Sequence, residues 1–120
     1  MKRFFKAFVY AAAGWRHAAR SQPNFRFEML ACVGVIAAGF YFGITAVEWM
    51  FCVLCMGAVL AAELINTGME SLTDLVSPDI HPLAGKAKDA AAAAVLITAV
   101  CAAVVGLIIF VPYLAECFNT

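Results

Sequence analysis

From Ala90 to Leu114 the chain runs without one charged residue, and so does Met29–Val47 before it. Each run is near the ~20 residues a helix needs to cross a ~30 Å hydrocarbon core. A third apolar run, Trp49–Leu60, is too short to cross alone and does so only if the polar residues after it occupy its far end. With 65% hydrophobic and 13% charged residues in 120, the chain is far from an average soluble domain. The expectation is an all-α membrane protein. It has a surface helix at about 2–20 and spans at about 29–47, 49–76 and 88–114, all within a single domain, 1–120.

Residues 2–20 mix Phe4, Phe5, Phe8, Val9 and Trp15 with Lys2, Arg3, Lys6, Arg16 and Arg20, a pattern that suits an amphipathic helix lying in the headgroup layer. Because charge recurs throughout Met1–Gln22, no cleavable signal is expected there. Ser21-Gln22-Pro23-Asn24 then breaks the helix. Lys2, Arg3, Lys6, Arg16, Arg20 and Arg26 precede the first span, and Lys86 and Lys88 lie between the second and third. Thr45–Glu48 and Ala115–Thr120 contain neither Lys nor Arg. The positive-inside rule therefore puts the N-terminus in the cytoplasm and the C-terminus outside. Cys52 and Cys55 form a C-x-x-C without a nearby His, and they read as small packing residues rather than a metal or redox pair.

Glu63, Asn66, Glu70 and Asp74 follow directly from the third apolar run. At about 100° per residue they fall within about 80° of one another, on one helix face. Counted from Glu48 at ~1.5 Å per residue, Glu63 lies about 22 Å and Glu70 about 33 Å across, so the stripe straddles the cytoplasmic boundary. Ionisable residues at that depth are costly and usually mark a site. Ser77-Pro78 ends the helix, and Lys88-Asp89 returns to the same side of the membrane. Ala90–Ala94 permits close helix approach.

An acidic face opposite a Lys-Asp pair has the parts for phosphoryl transfer. Glu70 has the chemistry to hold Mg²⁺, Lys88 to neutralise phosphate, and the deeper Glu63 to accept a proton from a hydroxyl nucleophile. The chain has no P-loop, no kinase glycine-rich loop and no H-R-D motif.

The stretch Glu63-Leu-Ile-Asn66-Thr-Gly-Met-Glu70-Ser-Leu-Thr-Asp74, with His81-Pro82-Leu83-Ala-Gly-Lys86-Ala-Lys88-Asp89 and Ala94-Val95-Leu96, resembles the bacterial small integral-membrane lipid kinases. That family contains diacylglycerol kinase and undecaprenol kinase. The likeness extends from Arg3 through the third span without internal gaps. It implies a homotrimer in the bacterial cytoplasmic (inner) membrane with active sites shared between neighbours, and Mg²⁺-requiring transfer of phosphate from ATP to a lipid alcohol. By position, Glu63 would be the catalytic base, Glu70 a metal ligand and Asn66 an organiser of the site. Lys88 would meet phosphate and Asp89 the nucleotide. Arg3, Tyr10, Asp79, Ile80 and His81 would complete the pocket. Nucleic acid is not among the partners implied.

One departure bears on the metal: where the family usually has a second metal-binding Glu, this chain has Gln22, which can offer an oxygen but no charge. Glu28 is the nearest other carboxylate, at a different spacing. Ala93 stands where relatives often have Gly. The region His81–Ala84, Lys88–Ala90 and the ending Gly106–Pro112 are more similar to the undecaprenol kinase branch, which makes undecaprenol the expected acceptor and diacylglycerol the alternative. Two other readings are carried alongside, a small ion or proton transporter and a purely structural assembly protein. Residue by residue, the plain alternatives are a structural buried carboxyl for Glu63, pairing with a cation for Asp74, and a surface or backbone-capping role for His81.

Overall fold

A computed structural model describes residues 1–119. Four helices account for nearly all of them: α1 (Lys2–Ser21), α2 (Pro23–Phe42), α3 (Ala46–Val76) and α4 (Pro82–Phe118). α2, α3 and α4 are each long and apolar enough to cross a membrane. Their outward faces carry large exposed apolar side chains such as Leu30, Phe40, Leu54, Leu96 and Leu107, a surface that water would not tolerate over this extent. α3 and α4 pack most extensively, α2 lies along α3, and α1 touches both α2 and α3.

The breaks between helices follow from local chemistry. Gln22 alone separates α1 from α2, with extended backbone at φ −116° and ψ 105°, because the residue before a proline is disfavoured in the helical region. Pro23 then serves as the first helical residue, where a missing N–H costs nothing. The Arg26 guanidinium donates back to Ala19 O at 2.8 Å and Arg20 O at 3.1 Å, satisfying carbonyls that the end of α1 leaves open. Trp15 packs edge-on against the fully buried Phe25, with ring centroids 5.0 Å apart, and fixes the corner between α1 and α2.

The first span is expected at about 29–47, but its helix begins at Pro23 and ends at Phe42. Gly43 stops it by taking the left-handed conformation, φ 64°, which glycine adopts without a Cβ penalty. Thr45 then caps α3 through a reciprocal box, with Glu48 N donating to Thr45 Oγ1 at 3.2 Å and Thr45 N to Glu48 Oε1 at 2.9 Å. Tyr113 O–H donates to the same Glu48 Oε1 at 2.5 Å. This bond ties the C-terminal part of α4, just past Pro112, to the start of α3. The third span, expected at about 88–114, is the middle of a longer helix that starts at Pro82 and continues through Pro112 to Phe118.

At ~1.5 Å per residue the 31 residues of α3 extend about 46 Å, well beyond a ~30 Å hydrocarbon core. Its last turns must therefore stand in the headgroup layer or in water, and these are the turns that carry the polar stripe. α3 is also the most enclosed of the three apolar helices, with 28% of its most apolar stretch buried against 11% for α2 and 6% for α4. It is the element on which the others are laid.

A Cβ added at Gly39 would sit 2.5 Å from Trp49 Cη2 and 2.7 Å from Cζ2, whereas one at Gly34 meets nothing within 4 Å. Gly39→Ala should therefore push the indole out of the α2–α3 contact and cost about 1–3 kcal/mol, as overpacking typically does. Gly34→Ala should be neutral or slightly stabilising. Thermal unfolding of the two variants in detergent micelles tests the contrast.

Candidate functional site

The stripe on α3 shows a graded exposure that matches its depth. Glu63 is 2% exposed and Asn66 9%; Glu70 is half-buried and Asp74 is in solvent. Thr67, also buried, turns its hydroxyl back onto Glu63 O at 2.9 Å, so it satisfies itself on the helix. The chain thus changes from a dry carboxyl to a wet one over three turns of a single helix face.

α2 closes this face from the side. Because Trp15 and Phe25 fix the α1–α2 corner, Gln22 points at α3, and its amide donates to Glu70 Oε2 at 3.0 Å. Asn66 Nδ2 lies 3.4 Å from the other oxygen, Glu70 Oε1. Glu70 is therefore held by two amides, one from the break between α1 and α2 and one from α3 itself. About a turn and a half further along α2 stands Glu28, half-buried. Glu28 Oε2, Glu63 Oε2 and Asn66 Oδ1 are all buried with no hydrogen-bond partner, an uncommon concentration of unmet polar capacity.

α4 supplies the positive charge. Lys88 Nζ meets Asp74 at 2.5 Å, with the two side chains 42% and 65% exposed, and it lies close enough to Glu70 to feel its charge. A pair this wet is weak and readily exchanged for another anion. His81 caps α4, its Nδ1 accepting from Leu83 N at 3.1 Å.

The structure thus gathers Gln22, Glu63, Asn66 and Glu70, with Lys88 nearby. It does not bring Arg3, Tyr10, Asp79, Ile80 or Asp89 to them within one chain. All five are exposed, and among the described residues no hydrogen bond or ion pair joins any of them to Glu63 or Glu70. α1 lies against Leu64–Ser71 of α3 through Ala11–His17, and Arg3 and Tyr10 precede that stretch. Glu28, which the sequence offers only as the nearest other carboxylate for the metal at a different spacing, lines instead the cleft between α2, α3 and α4, and which way it faces depends on how α2 leans on α3.

Beside the acidic cluster an apolar cleft of about 330 Å³ opens between α2, α3 and α4, lined by Ala31, Val35, Met56, Val59, Ala102 and Phe110, with Glu28 at its polar end. Cys52 and Cys55 also line it, as packing residues. For a metal, the oxygens at hand are the Glu70 carboxylate and the amide oxygens of Gln22 and Asn66. Among the described residues no three His, Cys, Asp or Glu side chains gather into a cage. Such a set fits Mg²⁺, which takes one or two carboxylates and completes its shell with phosphate and water.

Long apolar helices converging on a buried carboxyl and a hydrated acidic edge define a membrane protein with a polar site at one face of the bilayer. The sequence profile of prokaryotic diacylglycerol kinase matches residues 9–110. The chain is 43% identical over 114 residues to the undecaprenol kinase of Bacillus subtilis, covering 95% of this chain and 93% of that protein. It is 39% identical over 107 residues to a diacylglycerol kinase of Synechocystis, covering 88% of this chain and 61% of the relative. Against the diacylglycerol kinase of Escherichia coli K12 the identity is 28% over 102 residues, covering 85% and 84%. The chain belongs to the prokaryotic diacylglycerol kinase family.

Gln22→Ala should remove the clamp on Glu70 Oε2 and cost about 1.5 kcal/mol, the range for a partly buried bond to a charged acceptor. Chemical unfolding in mixed micelles measures it. An unchanged midpoint would mean that Glu70 does not depend on α2.

Proposed function

We propose that this protein is a lipid kinase that transfers the γ-phosphoryl group of ATP to the hydroxyl of a membrane lipid, undecaprenol in the first instance. The observation that carries the reading is Glu63. It is a carboxyl 2% exposed with one oxygen unpartnered, at the depth where a lipid hydroxyl meets a cytoplasmic reagent. As the lipid oxygen bonds to the γ-phosphorus and the bond to ADP breaks, Glu63 takes the hydroxyl proton. Asn66 and Gln22 orient Glu70, and Lys88 leaves Asp74 to neutralise phosphate charge.

Mg²⁺ when bound offsets the charge of the nucleotide phosphates. Glu70 would hold it, with Gln22 turned to present its oxygen and Asn66 Oδ1 free to accept from its waters. Gln22 supplies no charge, so the metal relies on Glu70 and on the nucleotide.

Arg3, Tyr10, Asp79, Ile80, His81 and Asp89 are proposed to reach the nucleotide from a neighbouring protomer of a homotrimer. In support, five of the six are exposed and unattached to the cluster, and His81, exposed at the cap of α4, is likewise not bonded to it. The broad apolar faces of α2 and α4 leave ample surface for lipid and for other protomers. α1, with its aromatics and cations, is placed as an amphipathic helix on the cytoplasmic surface of the bacterial inner membrane, and the C-terminus lies outside. The whole chain acts as one domain. Against a transport role, no charged residue occurs on α3 between Glu48 and Glu63, so the polar groups at the two ends are not linked into a path.

Undecaprenol is favoured by the likeness to the Bacillus subtilis undecaprenol kinase over nearly both full lengths. Diacylglycerol is the second acceptor, on the strength of the relatives that carry that name. Purified chain given Mg²⁺, γ-labelled ATP and equal amounts of the two lipids in mixed micelles should label undecaprenyl phosphate several-fold faster than phosphatidic acid. Faster labelling of phosphatidic acid would reverse the order, and label in neither lipid from folded protein would refute the kinase reading.

A further inference from the structure

Glu70 is the carboxylate best placed for a cation, yet each of its oxygens already faces an N–H group. Gln22 Nε2 donates to Oε2 at 3.0 Å, and Asn66 Nδ2 lies 3.4 Å from Oε1. Gln22 thus turns the positive end of its amide dipole toward the space that a cation at Glu70 would enter. To serve as a ligand the amide must turn over and present its oxygen, which breaks the bond to Glu70. A Glu at this position would present an acceptor where the amide presents a donor.

The neighbours add no second carboxylate. Asp74 is held by Lys88 at 2.5 Å. Glu63 stands seven residues back on the same helix, about 10 Å away at ~1.5 Å per residue, and Glu28 lines the apolar cleft. Among the described residues no three metal-binding side chains gather. One negative charge is little to offer a small dication that gives up its water reluctantly. Asn66 nevertheless marks the place as made for a hydrated ligand. The residue is 9% exposed, and its Oδ1 is buried without a partner. A buried acceptor of this kind calls for a donor, and a water carried on a cation at Glu70 is one.

We infer that Gln22 keeps Glu70 from holding a free divalent cation, so that this chain takes its metal together with the nucleotide, as the Mg·ATP complex. Gln22 is the positioning residue that sets this order of binding. Turning its amide gives up one hydrogen bond to a charged acceptor, about ten- to a hundred-fold in an equilibrium constant. A free cation has nothing to set against that loss, whereas the nucleotide brings the negative charge of its phosphates and contacts of its own. The inference rests on the kinase reading, which supplies the nucleotide.

The test uses the full chain in mixed micelles, native and as Gln22→Glu, Gln22→Ala and Glu70→Gln. Each is titrated with Mn²⁺, whose electron paramagnetic resonance signal separates free from bound ion without turnover. In the absence of nucleotide the native chain should retain no more Mn²⁺ than Glu70→Gln does. Gln22→Glu should bind it about ten-fold more tightly than the native chain, or better. Gln22→Ala, which releases Glu70 without adding charge, should gain several-fold, and it keeps the comparison if the added carboxylate prevents folding. With a non-hydrolysable ATP analogue the native chain should take up Mn²⁺ in step with the nucleotide, and Glu70→Gln should not. Free Mn²⁺ held by the native chain as tightly as by Gln22→Glu overturns the inference. So does Gln22→Ala that binds no better than the native chain, or bound analogue that brings no Mn²⁺ with it. If the native chain neither binds the analogue nor transfers phosphate, the kinase reading fails on its own, and the titrations without nucleotide still decide whether Gln22 withholds Glu70.

Discussion

Everything in this structure depends on one helix being too long for the membrane. α3 enters as an apolar span behind the Thr45–Glu48 cap and leaves as an acidic face running from Glu63 to Asp74. Lipid cannot solvate carboxylates, and water cannot solvate the apolar half. The helix therefore has one stable depth, with Glu63 on the dry side of the boundary and Asp74 on the wet side. The gradient of burial along the stripe is the consequence of that placement, and the proposed chemistry uses it: a dry proton acceptor beside a hydrated phosphate site.

The other helices serve to hold this arrangement. At the end opposite the acidic stripe, Glu48 is bonded both by its own cap and by Tyr113, so α3 and α4 start and finish in register. Trp49 lies against Gly39, where only a glycine leaves room for the ring. At the end that carries the stripe, the Trp15–Phe25 contact sets the corner that aims Gln22 at Glu70. α3 and α4 are tied by Tyr113–Glu48 at one end and Lys88–Asp74 at the other, Gln22 ties the α1–α2 break to α3, and among the described residues no side-chain hydrogen bond between helices crosses the apolar cleft. The cleft runs from Glu28 toward the aromatic cluster of Phe42, Phe110 and Tyr113.

Much of this was legible in the sequence because it is local. The uncharged runs, the punctuation at Gly43 and Ser77–Pro82, and the shared face of Glu63, Asn66 and Glu70 all follow from spacing along one chain segment. His81 capping α4 is likewise a matter of near neighbours. What the sequence did not display depends on contacts across the fold. The first apolar helix starts at Pro23 because Asn24–Glu28 continue it despite their polarity, and hydropathy alone cannot separate a polar first turn from a loop. That Gln22 donates to Glu70, that Glu28 lines the cleft between α2, α3 and α4 and that Tyr113 reaches Glu48 each depend on how the helices lean on one another, which no periodicity encodes.

The central claim is that Glu63 takes the proton of the lipid hydroxyl and does not serve to build the nucleotide site. It is tested most directly by Glu63→Gln, which keeps the shape and removes the basic oxygen. Calorimetric titration with Mg·ATP should give native-like affinity, while transfer of labelled γ-phosphate to undecaprenol should fall by about 10²–10⁴, the usual contribution of a general base. Transfer that survives the substitution, or nucleotide affinity lost along with it, would contradict the account.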